Sequence, residues 1–407
     1  MQWDVKAAYL QADLDPEHQI YVKDLTESGE TEYWKLHKAL YGLKQAGHQW
    51  YNRMRSIMTN AGYVQCIGDP GCFYSQEKSK TGTHMAIIST HVDDMAGYGT
   101  PAALAAFEKA VELEVELEKL GRPTKLLGMV LSWINDRSVK LTQQDSIGKL
   151  IKEHAITITP NRSIPLNPEG YTNSEDLLTP EGITRYQSLV GSLLYISRMT
   201  RPDISVHVNL LGRRTSKPGS NNLRTAIQLG EYLASTCKEG LILGTKESGN
   251  PEPGKDIQIN LYADASYGGE NSQSQSGSLA ILYGTPVMWN SRRQDVVSMS
   301  ITEAEYIACS ETAKDSQWLQ QFLKELGMNP KPILYTDNEA ALKLTKTQTF
   351  HRRTRHIEHR YHYIRELVDQ GVITIQGIKG KENPVDPLTK ILPMSTIGSW
   401  KAKNCIG

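Results

Sequence analysis

The sequence predicts an α+β fold in the first third of the chain, an α/β fold in the last third, and a less regular region between them. Three observations carry this. Residues 84–99 read as a β-hairpin with Asp93 and Asp94 at its tip. From Ile257 onward, apolar runs of strand length and stretches of helical period follow in the order three strands, helix, strand, helix, strand, helix. Gly244 to Lys255, with three Gly and two Pro, marks the boundary before that last region.

At 407 residues, 39% of them hydrophobic, the chain has room for two or three domains with sizeable cores. Lys plus Arg and Asp plus Glu are 45 each, so no global field favours nucleic acid, although local basic grooves beside acidic sites remain compatible. The five cysteines show no Cys-x-x-Cys spacing, so neither a zinc site nor a disulfide framework is expected, and a reducing compartment fits. No apolar run approaches the roughly 20 residues of a membrane span, and the N-terminus has no signal-peptide pattern.

In chain order, Trp3 to Leu10 is a short apolar strand interrupted by Asp4, and Tyr33 to Leu36 is a second strand. A helical period runs from Lys44 through Trp50, Met54, Ile57 and Met58 to Gly62. At the hairpin, Asp-Asp is a poor tight turn and two like charges repel; a bound divalent cation removes both objections. A solvated acidic turn is the alternative for the pair taken alone. Ala102 to Val111 is a helix. Val111 to Glu118 alternates strictly, which predicts a half-buried strand with four glutamates on its solvated face. Leu141 to Asp145 opens a helix reaching His154, and Thr159 to Pro180 is a linker rich in Pro, Asn, Gly and Thr. Arg201, Arg213, Arg214, Lys217 and Arg224 are candidate phosphate contacts, or simply solubilising charges. In the last region, Ile257–Ala263, Gly277–Tyr283 and Pro286–Asn290 are strands. Thr302–Leu326 is a long helix, Ile333–Thr336 a strand, residues 353–370 helical, Val372–Gln376 a strand and Pro384–Thr389 a short helix.

Three motifs in order, Trp3-Asp4-Val5, Tyr41-Gly42-Leu43-Lys44-Gln45 and His91-Val92-Asp93-Asp94, resemble the polymerase motifs of copia-type retrotransposon reverse transcriptases, with His91 where Tyr is usual. Tyr186 to Tyr195 and Thr200 to Ile204 resemble the connection region of that family. Tyr262-Ala263-Asp264, Thr302-Glu303-Ala304-Glu305-Tyr306, Tyr335-Thr336-Asp337-Asn338 and Val385-Asp386-Pro387-Leu388-Thr389-Lys390 resemble its ribonuclease H domain. The resemblance implies a right-hand polymerase palm with truncated fingers (1–130), a thumb and connection (131–255), a ribonuclease H-like α/β domain (256–392) and a C-terminal tail (393–407). In the family the fingers lie before the first aspartate; with Asp4 so near Met1, they are expected to be largely missing.

The same resemblance implies the chemistry. Phosphodiester reactions must neutralise charge on the attacking and leaving oxygens, and two Mg²⁺ or Mn²⁺ ions per active site, held by a few carboxylates, do this. The expected ligands are Asp4, Asp93 and Asp94, helped by the Val5 carbonyl, in the palm, and Asp264, Glu305, Asp337 and Asp386 in the last domain. Glu303 competes with Glu305, but two residues apart on a helix they do not share a face. Tyr9 is expected under the incoming sugar, or else is a core aromatic. Lys44 and Gln45 face nucleotide or template, or else form an ordinary polar first turn. Arg353, Arg355 and His356 suit gripping a hybrid backbone, or else cover the sheet. The recurrence of His356, His359 and His362 allows a zinc site, which no suitably spaced Cys or carboxylate supports. The loop Lys379 to Asn383 lacks the mobile His of many ribonuclease H enzymes.

Expected partners are RNA template, DNA primer, RNA–DNA hybrid and dNTPs, with capsid and integrase parts of the same polyprotein and no membrane. The expected location is cytoplasmic, in virus-like particles, with nuclear access. The rival reading is a truncated element remnant that binds nucleic acid and keeps at most ribonuclease H activity.

Overall fold

A computed structural model describes residues 1–15, 17, 19–25, 31–79, 82–244, 254–268, 272–346 and 363–407. The chain forms two compact units, Met1–Leu127 and Gly128–Gly407.

The first unit is built on a six-stranded sheet in the order β4-β5-β6-β7-β1-β8, comprising β1 (Gln2–Val5), β4 (Val64–Gln65), β5 (Cys72–Ser79), β6 (Gly82–His91), β7 (Asp94–Gly99) and β8 (Leu117–Gly121). A separate ribbon pairs β2 (Tyr21–Leu25) with β3 (Thr31–Lys35). Helices α1 (Ala46–Asn60) and α2 (Pro101–Glu112) contribute apolar stripes to one core, where Trp50, Met54 and Met58 meet Trp3, Ile88, Met95 and Phe107. Trp3 and Phe107 pack with their rings tilted by 59° and their centroids 4.7 Å apart. The Thr100 hydroxyl accepts the Ala103 N–H and Pro101 opens the first turn, which fixes where α2 begins.

Two expectations change here. The alternating stretch Val111 to Glu118 is not one strand: α2 runs to Glu112, a turn follows, and β8 starts at Leu117. Val111 sits one helical turn after Phe107 and both are buried, so a helical apolar stripe overrides the period-two pattern. The hairpin tip is Val92-Asp93, one residue earlier than expected, because His91 pairs with Asp94. Val92 takes φ +59°, as the first residue of a type II′ turn does; glycine favours that position and a β-branched residue avoids it.

In the second unit, β10 (Met129–Trp133), β11 (Val139–Thr142) and β12 (Leu241–Leu243) form an antiparallel ladder. Helices α3 (Gln144–His154), α4 (Pro180–Met199), α5 (Ser205–Gly212) and α6 (Ser220–Ser235) share a core of Leu150, Tyr186, Leu193, Leu211, Leu229 and Leu233. Arg201 is not a phosphate contact. Its guanidinium is fully buried, forks onto Asp203 (2.9 and 2.7 Å) and also donates to the Thr236 carbonyl and hydroxyl.

The same unit holds a five-stranded sheet in the order β15-β14-β13-β16-β17, from β13 (Asp256–Ser266), β14 (Gln275–Leu282), β15 (Thr285–Arg293), β16 (Asn329–Thr336) and β17 (Thr374–Gly377). β13 is central, antiparallel to β14 and parallel to β16. The crossover to β16 is α7 (Ile301–Glu325), whose Ala304, Ile307 and Ala308 pack on Leu261, Ala263 and Ala265. Then come α8 (Glu339–Lys346), α9 (Tyr363–Asp369), α10 (Asp386–Thr389) and α11 (Met394–Lys403). α8 was not expected, and α11 stands in what was read as a tail. Each is too short for its period to stand out in sequence, and each is held by tertiary packing, α11 through buried Ile397 and Trp400.

Candidate active site

In the first unit, Asp4 lies on β1 directly opposite Asp94 on β7, so the two side chains leave the same face of the sheet. Asp93 follows in the turn, and its carbonyl accepts the Val5 N–H at 3.0 Å. The strained Val92 is secured by Trp50, whose indole N–H donates to the Val92 carbonyl at 2.7 Å. Gln2 reaches Asp94 Oδ1 at 3.2 Å. The Asp4 carboxyl is pushed above its ordinary range, by burial first and then by Asp93, Asp94 and Glu118. A carboxyl raised by the negative charge gathered around it marks a donor set for a hard cation.

Tyr9 packs on Tyr41 with ring centroids 4.8 Å apart. Burial and the charges of Asp93 and Asp4 raise the Tyr41 hydroxyl, which places Tyr41 beside the acids. Lys44 is exposed and Gln45 is the residue before α1, so neither lies within that helix as its first turn.

In the second unit, three elements converge. Asp264 comes from β13, Glu305 from α7 and Asp337 from the residue after β16, and their oxygens lie within 4.8 Å of one another. Among the described residues this is the one group of three or more His, Cys, Asp or Glu side chains that could share an ion at that spacing; Asp4, Asp93 and Asp94 are not drawn so tight. Asp264 and Glu305 are buried at 3% and 5% exposure, and Asp337 is open to solvent. The Glu305 carboxyl is pushed up to about 8, by burial first and then by Asp264 and Asp337, against the Ala265 N–H it accepts. Asp337 is raised by burial first, then by Asp264 and Asp386. Glu305 Oε2 is buried with no hydrogen-bond partner. An orphaned carboxylate oxygen facing two further carboxylates fits a divalent, oxygen-seeking cation.

Glu303 does other work. Its carboxylate accepts the Met299 N–H at 2.7 Å while the Ser300 hydroxyl accepts the Glu303 N–H at 3.2 Å, so it caps α7. Asp386, the fourth expected ligand, stands outside the tight group. Its Oδ1 pairs with Lys390 at 2.6 Å, and the same ammonium lies 3.4 Å from Asp264 Oδ2, where the Thr389 hydroxyl also donates. Lys390 and Thr389 stand within the Val385 to Lys390 motif but had no role read for them in sequence, although a Lys four residues after an Asp on a helix is itself a signal. Opposite Asp264 in register is Gly277, where a Cβ would meet Val385 and Thr389 at 2.6 Å, so only glycine lets α10 close on the sheet here. Arg353, Arg355, His356 and the other histidines of that basic stretch lie outside the described residues.

The raised Glu305 carboxyl makes stability depend on pH. The folded state keeps this proton up to about pH 8, whereas the unfolded chain releases it near the ordinary glutamate value of 4.5. The folded state thus binds more protons across that window; the stabilisation is complete below it and is lost as pH rises through it. Added Mg²⁺ is expected to raise the melting temperature of this unit more at pH 8.5 than at pH 6, and Glu305→Gln to remove the difference. Equal shifts at both pH values in the unmodified protein, measured by scanning fluorimetry, would contradict the assignment.

Residues 1–168 match the family model described as reverse transcriptase (RNA-dependent DNA polymerase). The chain is 33% identical over 407 residues to the retrovirus-related Pol polyprotein from transposon TNT 1-94 of Nicotiana tabacum, covering 96% of this chain and 30% of that polyprotein. It is 29% identical over 323 residues to the putative transposon Ty5-1 protein YCL074W of Saccharomyces cerevisiae, covering 77% of this chain and 99% of that protein. Among solved structures it resembles the N-terminal RNase H domain of rv2228c from Mycobacterium tuberculosis, with 13% identity, 36% of this chain, 97% of that chain and a TM-score of 0.26.

Proposed function

We propose, on the premise that this chain belongs with the Pol polyproteins of copia-type retrotransposons as their reverse transcriptase and ribonuclease H segment, that it carries out two phosphoryl transfers. The first unit extends a primer along an RNA template. The second cuts the RNA strand of the resulting hybrid. The observation that carries the reading is the convergence of Asp264, Glu305 and Asp337 from three separate elements onto one point.

Divalent ions, when bound, supply charge neutralisation at the attacking and leaving oxygens. The chain's part is to hold and orient. Asp264, Glu305 and Asp337 would hold an ion at the mouth of the sheet, and Lys390 offsets the charge of Asp264 and Asp386 beside it. Asp4, Asp93 and Asp94 would do the same in the palm, kept in place by the register of β1 on β7. The 3′-hydroxyl of a primer there attacks the α-phosphate of a dNTP and releases pyrophosphate.

Primer extension on an RNA template, run with Mg²⁺ on the full chain, tests the first activity. Asp93→Asn is expected to abolish extension and leave hybrid cleavage within about twofold, because the second set of acids is elsewhere. Extension that survives Asp93→Asn would refute the palm assignment.

A further inference from the structure

A cavity of about 400 Å³ in the second unit is lined by Arg213, Arg214, Arg293, Ser272, Gln273 and Val297. Arg213 and Arg214 come from the end of α5 and the turn after it, and Arg293 ends β15. None of the three forms an ion pair with a carboxylate among the described residues. Arg213 donates to Asn209 and Gln275, both neutral, and Arg214 to the Tyr171 carbonyl and Asn173. Arg293 has no hydrogen bond among the described residues, whereas neighbouring Arg292 is neutralised by Glu311 and Asp315. Burial, then Arg293 and Arg214, bring the Arg213 guanidinium down to about 10. Three cations gathered in one hollow with no carboxylate among its described lining residues are costly unless an anion completes them.

Their place in the sheet says which anion. Arg293 pairs directly with Gln275 on β14, and Gln275 is two residues from Gly277, which pairs with Asp264. Directly opposed residues and residues two apart share a face, so Arg293 and Asp264 open on the same side of the sheet, and Arg213 joins that side through its bond to Gln275. One step of two residues is ~7 Å and the two strand spacings from β15 to β13 add ~10 Å across the sheet, ~12 Å in all, so the two sites are close enough to touch one polynucleotide a few nucleotides apart. Planar guanidinium forks suit phosphate oxygens better than point charges do.

We propose that Arg213, Arg214 and Arg293 form a phosphate clamp that grips the sugar–phosphate backbone of a nucleic acid as it crosses the Asp264–Glu305–Asp337 centre. This rests on the reading of that centre as a nuclease. The clamp holds backbone and reads no sequence.

The test measures binding of a labelled RNA–DNA hybrid to the full chain by fluorescence anisotropy, in EDTA so that nothing is cut, across 50–300 mM NaCl. Arg293→Gln is expected to lower the slope of log affinity against log salt by about 0.9, and Arg213→Gln with Arg293→Gln by about twice that, with roughly tenfold weaker binding at 0.1 M salt. Arg293→Lys should restore most of the slope. Arg293 is exposed and unbonded, so its replacement leaves folding intact even if the Arg213 variant is unstable. A slope unchanged by Arg293→Gln overturns the clamp. So does a melting-temperature rise with inorganic phosphate that Arg293→Gln removes while the hybrid slope stays constant, since the hollow would then take a free anion. Cleavage by the unmodified chain, read separately with Mg²⁺, isolates the underlying reading: absent cleavage with an Arg-dependent slope sinks the nuclease and keeps the clamp, and no polynucleotide binding at all sinks both.

Discussion

Asp264→Asn is expected to lower hybrid cleavage by about 10³-fold, close to 4 kcal/mol of transition-state stabilisation, while primer extension stays within about twofold. The size follows from position. Asp264 sits on the central strand, 3% exposed, in reach of Glu305, Asp337 and the Lys390 ammonium, so its charge acts on each of the other groups in the cluster. Amide in place of carboxylate removes the charge and leaves the shape. Glu303→Gln provides the contrast. It loosens a helix cap, at about 1 kcal/mol of stability, and should leave the cleavage rate within a few-fold. Cleavage that survives Asp264→Asn, or is abolished by Glu303→Gln in a folded protein, would mean that the wrong acids have been assigned.

Arg201→Met is expected to destabilise the second unit by about 3–5 kcal/mol, the usual consequence of leaving one half of a buried ion pair behind, and to lower its melting temperature by about 10 °C. Both side chains of the Arg201–Asp203 pair are 0% exposed. Burial alone would raise the Asp203 carboxyl; Arg201 overrides it, and with Lys401 and the Tyr232 hydroxyl holds it below the usual carboxylate range. Without the guanidinium, Asp203 must take up a proton or draw water into a closed core. Replacing both partners, Arg201→Met with Asp203→Leu, should recover most of the loss. A melting temperature within 2 °C of the unmodified protein for the single variant would show that the pair is dispensable.

The acid positions were legible because the motifs that hold them resemble those of a known family, with Asp4 interrupting an apolar strand, Asp337 following one and Glu305 on the helix face opposite Glu303. Short-range pattern could say that much. It could not say that Val92 rather than Asp94 shares the tip of the hairpin, because the turn is set by the register of β6 on β7 and its strain is absorbed by Trp50, 42 positions away. Nor could it separate Val111 the helix residue from Val111 the strand residue, since Val-x-Leu-x-Val satisfies a period of two and the decision belongs to the core around Phe107. Arg201, Arg213 and Arg214 read alike in sequence. The fold sends the first into a closed ion pair and leaves the other two in an open hollow, a difference made by Asp203 and by the distant β15.

The amide of Val5 is bonded to the carbonyl of Asp93, and β1 is flanked by β7 on one side and β8 on the other. The turn bearing Asp93 therefore has no hinge of its own with respect to Asp4. The backbone segments that carry the two carboxylates are tied to each other, so rearrangement around a nucleotide is left to side-chain rotation and to the groups that approach, and the Val5 proton should be among the last in this unit to exchange with deuterated water.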